Sequence, residues 1–368
     1  MRILMIDIGM GTGRYSAVRQ CRPNREQHPL VMPAPTQIVA QAVRAATAGV
    51  YANRAEWRGI MGGGPCHWAV EDHLRAGLPA VCHACRCGYL QRRPRLGGAR
   101  DGRAAGWRRR RAGLAGGCAA VLGDLNLAAI EAALAAFGVR PDFDGLAVAV
   151  FDHGNAPPEI SDRVFRFNYL AERFSTGGGL LALGFRADDV PAEMTRLRAV
   201  AAAAPAGRPA LLMDTAPAAV LGALDDRQVA VHDDLLLVNV GNFHCLAFHL
   251  SGGAIVGCFE HHTGELTTAK LETLLERLAS GAITNHEVFA SMGHGALVLR
   301  PTPNARPFLA VTGPRRAMLR DTTLWAGRPY MAVPHGAMML AGCFGLLRAY
   351  AANYPAAADA ITAALAST

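Results

Sequence analysis

The residues able to do chemistry collect at the ends of apolar runs. Asp7 lies in Ile3-Leu4-Met5-Ile6-Asp7-Ile8, which enters Gly9-Met10-Gly11-Thr12. An apolar run ending in Asp-x-Gly-x-Gly-Thr reads as a buried first strand that meets a tight glycine turn. Backbone N–H groups in such a turn favour an anion, Thr12 adds a hydroxyl, and Asp7 could hold the magnesium that accompanies phosphate. Asp152, Asp214, Asn239 and Thr312 also follow apolar runs, each beside a glycine or a turn. Ligands of open α/β sheets bind beyond the carboxyl ends of strands, although a single Asp there is more often a helix cap or turn residue.

Phosphoryl transfer needs backbone donors for phosphate oxygens, a carboxylate near magnesium and a carboxylate to orient the acceptor. Gly9, Gly11 and Thr12, with Gly241 and Asn242, could supply the first, Asp7 the second, and Asp152 or Asp214 the third. Gly62-Gly63-Gly64 precedes a helix expected from His67 and offers another anion site. A P-loop is missing, and Lys270 is the chain's sole lysine. Positions 9 to 14, GMGTGR, lack the dinucleotide fingerprint. His153, His244, His261, His262, His294 and His335 all lie at turns. They read either as hydrogen-bonded histidines of a cleft or as ligands for zinc or iron; no helical His-x3-His pair supports the second reading. Cys82-x-x-Cys85-x-Cys87 lacks the spacing that radical enzymes use, so no iron–sulfur cluster is expected. Arg108–Arg111 has no interleaved aromatics, so no nucleic-acid partner is expected.

The elements that would carry these residues alternate. Helices are expected over Gln37–Ala48 (capped by Thr36), His67–Ala76, Leu122–Phe137, Val190–Ala204 and Leu266–Ala279, and over Val333–Tyr350. Strands are expected at Leu146–Phe151, Ala210–Met213, Leu235–Val240, Cys245–Leu250, Ile255–Phe259 and Phe308–Thr312. The pattern implies α/β layering in two similar domains, 1–227 and 228–368.

Two segments break the pattern. Residues 14–29 show no strand alternation and hold four arginines; residues 82–111 hold ten arginines and one aspartate. Removing their contributions of +3 and +9 from the formal charge of +8 leaves −4, so the basicity is not a signature of a nucleic-acid surface. Both segments read as out-of-frame translations within an otherwise intact gene, or as an unusual in-frame composition. Resequencing the coding DNA separates the two. Five of the nine cysteines lie outside these segments, scattered without a disulfide framework. With no run of about 20 apolar residues to span a bilayer, a cytoplasmic protein without a membrane partner is expected.

Eight strings together carry a resemblance: MGGGPCHWAV (61–70), FDHGNAP (151–157), MDTAPAAVLGAL (213–224), VNVGNFHCLAF (238–248), FEHHTG (259–264), GHGA (293–296), VTGPRR (311–316) and PHGAMMLAGCFGLL (334–347). They resemble the family called domain of unknown function 1786, whose usual label is pyruvate formate-lyase activating enzyme. The residues that label requires are missing. The order Asp-x-Gly-x-Gly-Thr, VNVGN, VTGP is more similar to the actin-like ATPase and sugar-kinase superfamily. That resemblance implies a two-domain, ribonuclease H-like architecture with an interdomain cleft for a small-molecule or nucleotide ligand, ATP with Mg2+. Asp7, Gly9, Gly11 and Thr12 would grip phosphate from one side, and Asn239, Gly241, Asn242 and His244 from the other. Thr312, Gly313 and Arg315 would lie near the nucleoside. Asp152 would act as base, with Asp214 and His153 as the other catalytic candidates. Glu260, His261, His262, His294 and His335 would shape the acceptor pocket. A metal- or redox-dependent enzyme, and a regulatory module that holds nucleotide without turnover, remain alternatives.

Overall fold

A computed structural model of the chain describes residues 1–9, 12–19, 26–33, 41, 50–52, 80–82, 118–120, 124–157, 159–302, 306–325 and 327–366. The chain divides into two compact units, one made of Met1–Ala34 and Leu125–Thr368 and the other of Pro35–Asp124. In the smaller unit the described residues form three short parallel strands, β4 (Val50–Ala52), β5 (Ala80–Cys82) and β6 (Cys118–Ala120), in the order β5-β4-β6. The helix expected over 67–76 and the glycine turn 62–64 lie outside the described residues, as do all but residue 41 of the helix expected over 37–48 and most of 82–111.

The larger unit contains two six-stranded sheets. The first is built from β1 (Arg2–Ile8), β2 (Thr12–Arg19), β3 (Glu26–Pro33), β7 (Gly145–Val150), β8 (Gly184–Arg186) and β9 (Ala210–Met213), in the order β3-β2-β1-β7-β9-β8. The second is built from β10 (Asp234–Val240), β11 (His244–Ser251), β12 (Ala254–His262), β13 (Gly295–Val298), β14 (Phe308–Thr312) and β15 (Tyr330–Met331), in the order β13-β12-β11-β10-β14-β15. The two sheets repeat one plan. β1-β2-β3 and β10-β11-β12 are antiparallel meanders; β7 then β9, and β14 then β15, extend each sheet in parallel. This duplicated plan is the actin-like, ribonuclease H-like architecture. β2 and β3 occupy stretches in which side-chain alternation announces no strand; backbone pairing along the edge of β1 forms them.

Alternation along the central strands sorts three hydrophobic cores. Ile3 and Met5 of β1, Ala147 and Ala149 of β7, Leu235 and Leu237 of β10 and Ala310 of β14 face a shared middle core. Leu4, Ile6 and Ile8 turn the other way, toward α1 (Leu127–Ala136) and the helix Thr195–Ala203. Leu236, Val238 and Val240 turn toward the helices Thr268–Ala279 and Asn285–Ala290. Among the described residues the α-helices in chain order are α1, α2 (Asp162–Ser175), α3 (Thr195–Ala203), α4 (Thr215–Ala223), α5 (Thr268–Ala279), α6 (Asn285–Ala290), α7 (Ala341–Asn353) and α8 (Pro355–Ala366). The middle layer contains α4 and α7, both apolar nearly all round as buried helices are.

Several boundaries differ from the sequence reading. α1 begins at Leu127, where the Asn126 side chain accepts from the Ala129 N–H. α3 begins at Thr195 rather than Val190. The helix expected from Val333 starts only at Ala341, because Pro334 and His335 (φ 51°) form a separate turn first.

Glycine lets α4 and α7 touch backbone to backbone. A Cβ added at Gly345 would lie 1.9 Å from the Ala218 carbonyl oxygen, and one at Gly222 would lie 1.8 Å from that of Ala341. Gly345→Ala is therefore expected to destabilise the fold by about 3 kcal/mol or more, read as a lower urea midpoint. An unchanged midpoint would contradict the close crossing.

Candidate functional site

The same alternation aims the strand-end polar residues at the middle layer. Asp7 follows Ile3 and Met5, Asn239 follows Leu235 and Leu237, and Thr312 follows Ala310, so all three sit on inward faces. Asp7 and Asn239 are equivalent positions of the two repeated sheets, each near the end of the first meander strand. Between the sheets lies a narrow cleft lined by Ile8, Gly9, Phe151, Arg196, Thr215, Ala216, Ala219, Asn239, Gly241, Asn242, Phe243, His244 and Pro314. It leaves about 60 Å³ for solvent, below the roughly 300–1,000 Å³ of most ligand pockets.

Gly9, Asn239, Gly241, Asn242 and His244 all line this cleft. The β10–β11 turn is closed by the Gly241 N–H donating to the His244 carbonyl at 2.9 Å. Asp7 is fully buried behind the cleft wall. Its Oδ1 accepts from the Thr215 hydroxyl at 2.5 Å, and a Cβ at Gly342 would lie 2.3 Å from its Oδ2. The carboxylate therefore rests against the first turn of α7, where a helix favours negative charge. Its reach into the cleft runs through Thr215, a residue that sequence reasoning missed. Arg196, also missed, lines the cleft and donates to the Phe151 carbonyl at 2.6 Å. Beyond Thr312, Pro314 reaches the cleft while Arg315 is exposed outside the lining set. Gly11 and Gly62, Gly63 and Gly64 lie outside the described residues, and Thr12 is described only as strand backbone.

The two aspartates expected to be catalytic, Asp152 and Asp214, are both committed to local structure. Asp152 Oδ1 accepts from the Gly154 N–H, and Oδ2 accepts from the N–H groups of Arg196 and Leu197, each at 2.9 Å. It thereby satisfies donors that the first turn of α3 leaves unpaired. Asp214 caps α4 and takes Arg166 Nη2 at 2.5 Å. Arg166 reaches from α2 to Glu260 of the second sheet, 3.1 Å from Nε, and to the Asp152 carbonyl at 3.2 Å. Arg166 is 1% exposed, and its guanidinium bridges carboxylates of both sheets. Burial opposes its charge, but Asp214 and Glu260 outweigh that cost and hold its pKa above the ordinary value. Burial pushes Asp214 up to about 6, against the Arg166 charge and with the help of Glu260.

β12 runs on through His262, where a turn was expected after Phe259. Alternation therefore puts Glu260 and His262 on one face and His261 on the other, where it meets Ser291 Oγ at 3.2 Å. His244, His262 and His294 come together, each with a ring nitrogen within 4.8 Å of the others. His244 stacks on Phe151 with ring centroids 4.1 Å apart, and the His153 ring lies 6.3 Å from that of His294. Burial lowers the pKa of His244 well below the usual imidazole value and that of His294 to about 2, with neighbouring histidines adding to both effects. Burial likewise lowers His261. His335 lies apart, in a second pocket 3.7 Å from Asp225.

Residues 114–318 match the family described as "Putative pyruvate format-lyase activating enzyme (DUF1786)". The chain belongs to this family. No curated protein matches it. Among solved structures it is similar to an inorganic polyphosphate/ATP-glucomannokinase from Arthrobacter sp. strain KM (13% identity, 96% of this chain and 99% of that one, TM-score 0.37). It is also similar to a Listeria monocytogenes protein titled "a putative N-acetylmannosamine kinase" (11%, 96% and 99%, TM-score 0.36). A third is a ROK hexokinase from Thermus thermophilus (15%, 94% and 96%, TM-score 0.28). Among the described residues, no helix is long and apolar enough to cross a membrane. Cys245, Cys258 and Cys343 are buried, and burial raises the Cys258 thiol to about 12.

The raised Asp214 has a definite pH signature. Its contribution to stability is fully present below the unfolded value, near 3.8, and is lost as pH rises through about 6. Relative to Asp214→Asn, the native chain should lose about 3 kcal/mol between about pH 4 and pH 7, measured by urea unfolding. A difference that does not vary with pH would contradict the buried, raised carboxyl.

Proposed function

We propose that this chain binds a magnesium nucleotide or a related phosphorylated small molecule in the cleft between its sheets and transfers or hydrolyses the phosphoryl group. One observation supports this reading above the others: the loops after the equivalent strands β1 and β10 line the same cleft. Their Gly9 and Gly241-Asn242 backbones can approach phosphate oxygens closely, and Arg196 adds a positive wall. Asn239 and the Thr215 hydroxyl are oxygen donors of the kind magnesium accepts, with the Asp7 charge directly behind. Magnesium would supply charge neutralisation on the phosphates. Of the three catalytic candidates, His153 keeps a basic atom. Its Nδ1 is 2.8 Å from the Gly154 carbonyl, so that nitrogen carries the proton and Nε2 is left to receive one from an acceptor hydroxyl. The cleft as it stands is too narrow for a whole nucleotide, so binding requires the two loops to part. A cytoplasmic location, a division into domains at about residue 227 and out-of-frame origins for 14–29 and 82–111 complete the proposal.

Isothermal titration of the full chain with Mg-ATP and Mg-pyrophosphate tests it. Saturable heat is expected, and Asn242→Asp, which adds a negative charge at an exposed position, should weaken binding at least tenfold without altering the unfolding midpoint. Absence of binding, or unchanged affinity in that variant, contradicts the site. Binding without turnover would make the protein a nucleotide-holding module instead of an enzyme.

A further inference from the structure

The three clustered histidines are arranged in a way that hydrogen bonding within the chain does not explain. His262 Nδ1 lies 2.6 Å from the Met292 carbonyl oxygen, an acceptor, so this nitrogen carries the ring proton. His294 Nδ1 lies 3.4 Å from Glu260 Oε1 without hydrogen-bond geometry, and neither buried atom has a hydrogen-bond partner, so a lone pair on this nitrogen would face an acceptor oxygen. With each Nδ1 turned to an acceptor, the two Nε2 atoms present lone pairs to each other at 3.1 Å. Two lone pairs at that distance repel unless a positive centre lies between them. Ligands of a tetrahedral zinc, each bound at about 2.0–2.1 Å, stand about 3.3 Å apart, close to the separation found here.

We propose that His244, His262 and His294 form a binding site for a transition-metal dication of the zinc class, with Glu260 as the positioning residue behind His294. A metal-bound imidazole ordinarily donates its other N–H to a carbonyl or a carboxylate, the two partners that Met292 and Glu260 provide. Imidazole nitrogens suit zinc, cobalt or nickel and suit magnesium poorly, so the site is chemically distinct from the magnesium position. Three protein ligands leave a tetrahedral ion one open position, as in catalytic rather than structural zinc sites. Because His244 belongs both to this cluster and to the cleft wall, the open position is suited to an anionic oxygen of a cleft ligand. The site stands whether or not a nucleotide binds.

Cobalt is the probe. The purified full chain is treated with iodoacetamide to block reactive thiols, stripped with chelator and titrated with Co2+. One equivalent should produce visible ligand-field absorption without a thiolate charge-transfer band, and Zn2+ should displace it. His262→Gln, at a half-buried position, should weaken cobalt binding at least 100-fold while circular dichroism stays native. Glu260→Gln should weaken it about 10- to 100-fold. Lack of the visible band in the folded native chain would mean that a shared proton, not a metal, joins His262 and His294, and would overturn the proposal. So would a band that persists unchanged in His262→Gln. Neither result bears on the Mg-ATP titration.

Discussion

The buried guanidinium of Arg166 is the interaction on which the site depends. It ties Asp214, at the end of a first-sheet strand, to Glu260, within a second-sheet strand, while also holding the Asp152 carbonyl. One cation between two carboxylates fully removed from water is a poor source of net stability, because desolvation consumes most of the attraction. Its consequence is positional. The far oxygen of Glu260 is left for His294, Asp214 is fixed where it starts α4, and α4 carries Thr215 to the cleft and to Asp7. A hydrophobic replacement could fill the same volume, yet it would cut the polar connection between the cleft and the histidines.

The second constraint is the glycine contact between α4 and α7. By letting the two helices approach backbone to backbone, Gly222 and Gly345 thin the middle layer. The ends of β1 and β10, with Asp7 and Asn239 on their inward faces, are thereby brought to the same cleft. Gly342 completes the arrangement by giving the Asp7 carboxylate room against the start of α7. Apolar packing sets the spacing, and the polar residues at the strand ends exploit it.

Much of this was legible in the sequence wherever one face of a strand is read against the other. Continuous apolar runs marked β7, β9, β10 and β14, and their polar ends marked Asp152, Asp214, Asn239 and Thr312. What the sequence concealed is the identity of partners. A carboxylate that caps a helix and one that serves chemistry look alike until the donors around it are known, as Asp152 shows with its three backbone N–H groups. Arg166 lies in an ordinary amphipathic helix, and nothing local distinguishes it from the half-buried Arg163 and Arg173 of the same helix. The turn histidines were visible as candidate ligands, but which of them meet was hidden, because His244, His262 and His294 come from the start of β11, the end of β12 and the residue before β13, which are neighbours only once the sheet is paired. A helical His-x3-His search cannot find ligands that are adjacent across strands. The hairpin β2–β3 was hidden for a related reason: edge pairing to β1 is a property of backbone, not of side-chain pattern.

The central claim is that two equivalent turns, one from each sheet, close on one phosphorylated ligand. Hydrogen-exchange mass spectrometry of the full chain with and without Mg-ATP tests it most directly. Simultaneous protection of the peptides that carry Ile8–Gly9 and Gly241–His244, with the distant pocket around Asp225 and His335 unchanged, is the predicted result. Protection of only one turn, or of neither, would contradict it.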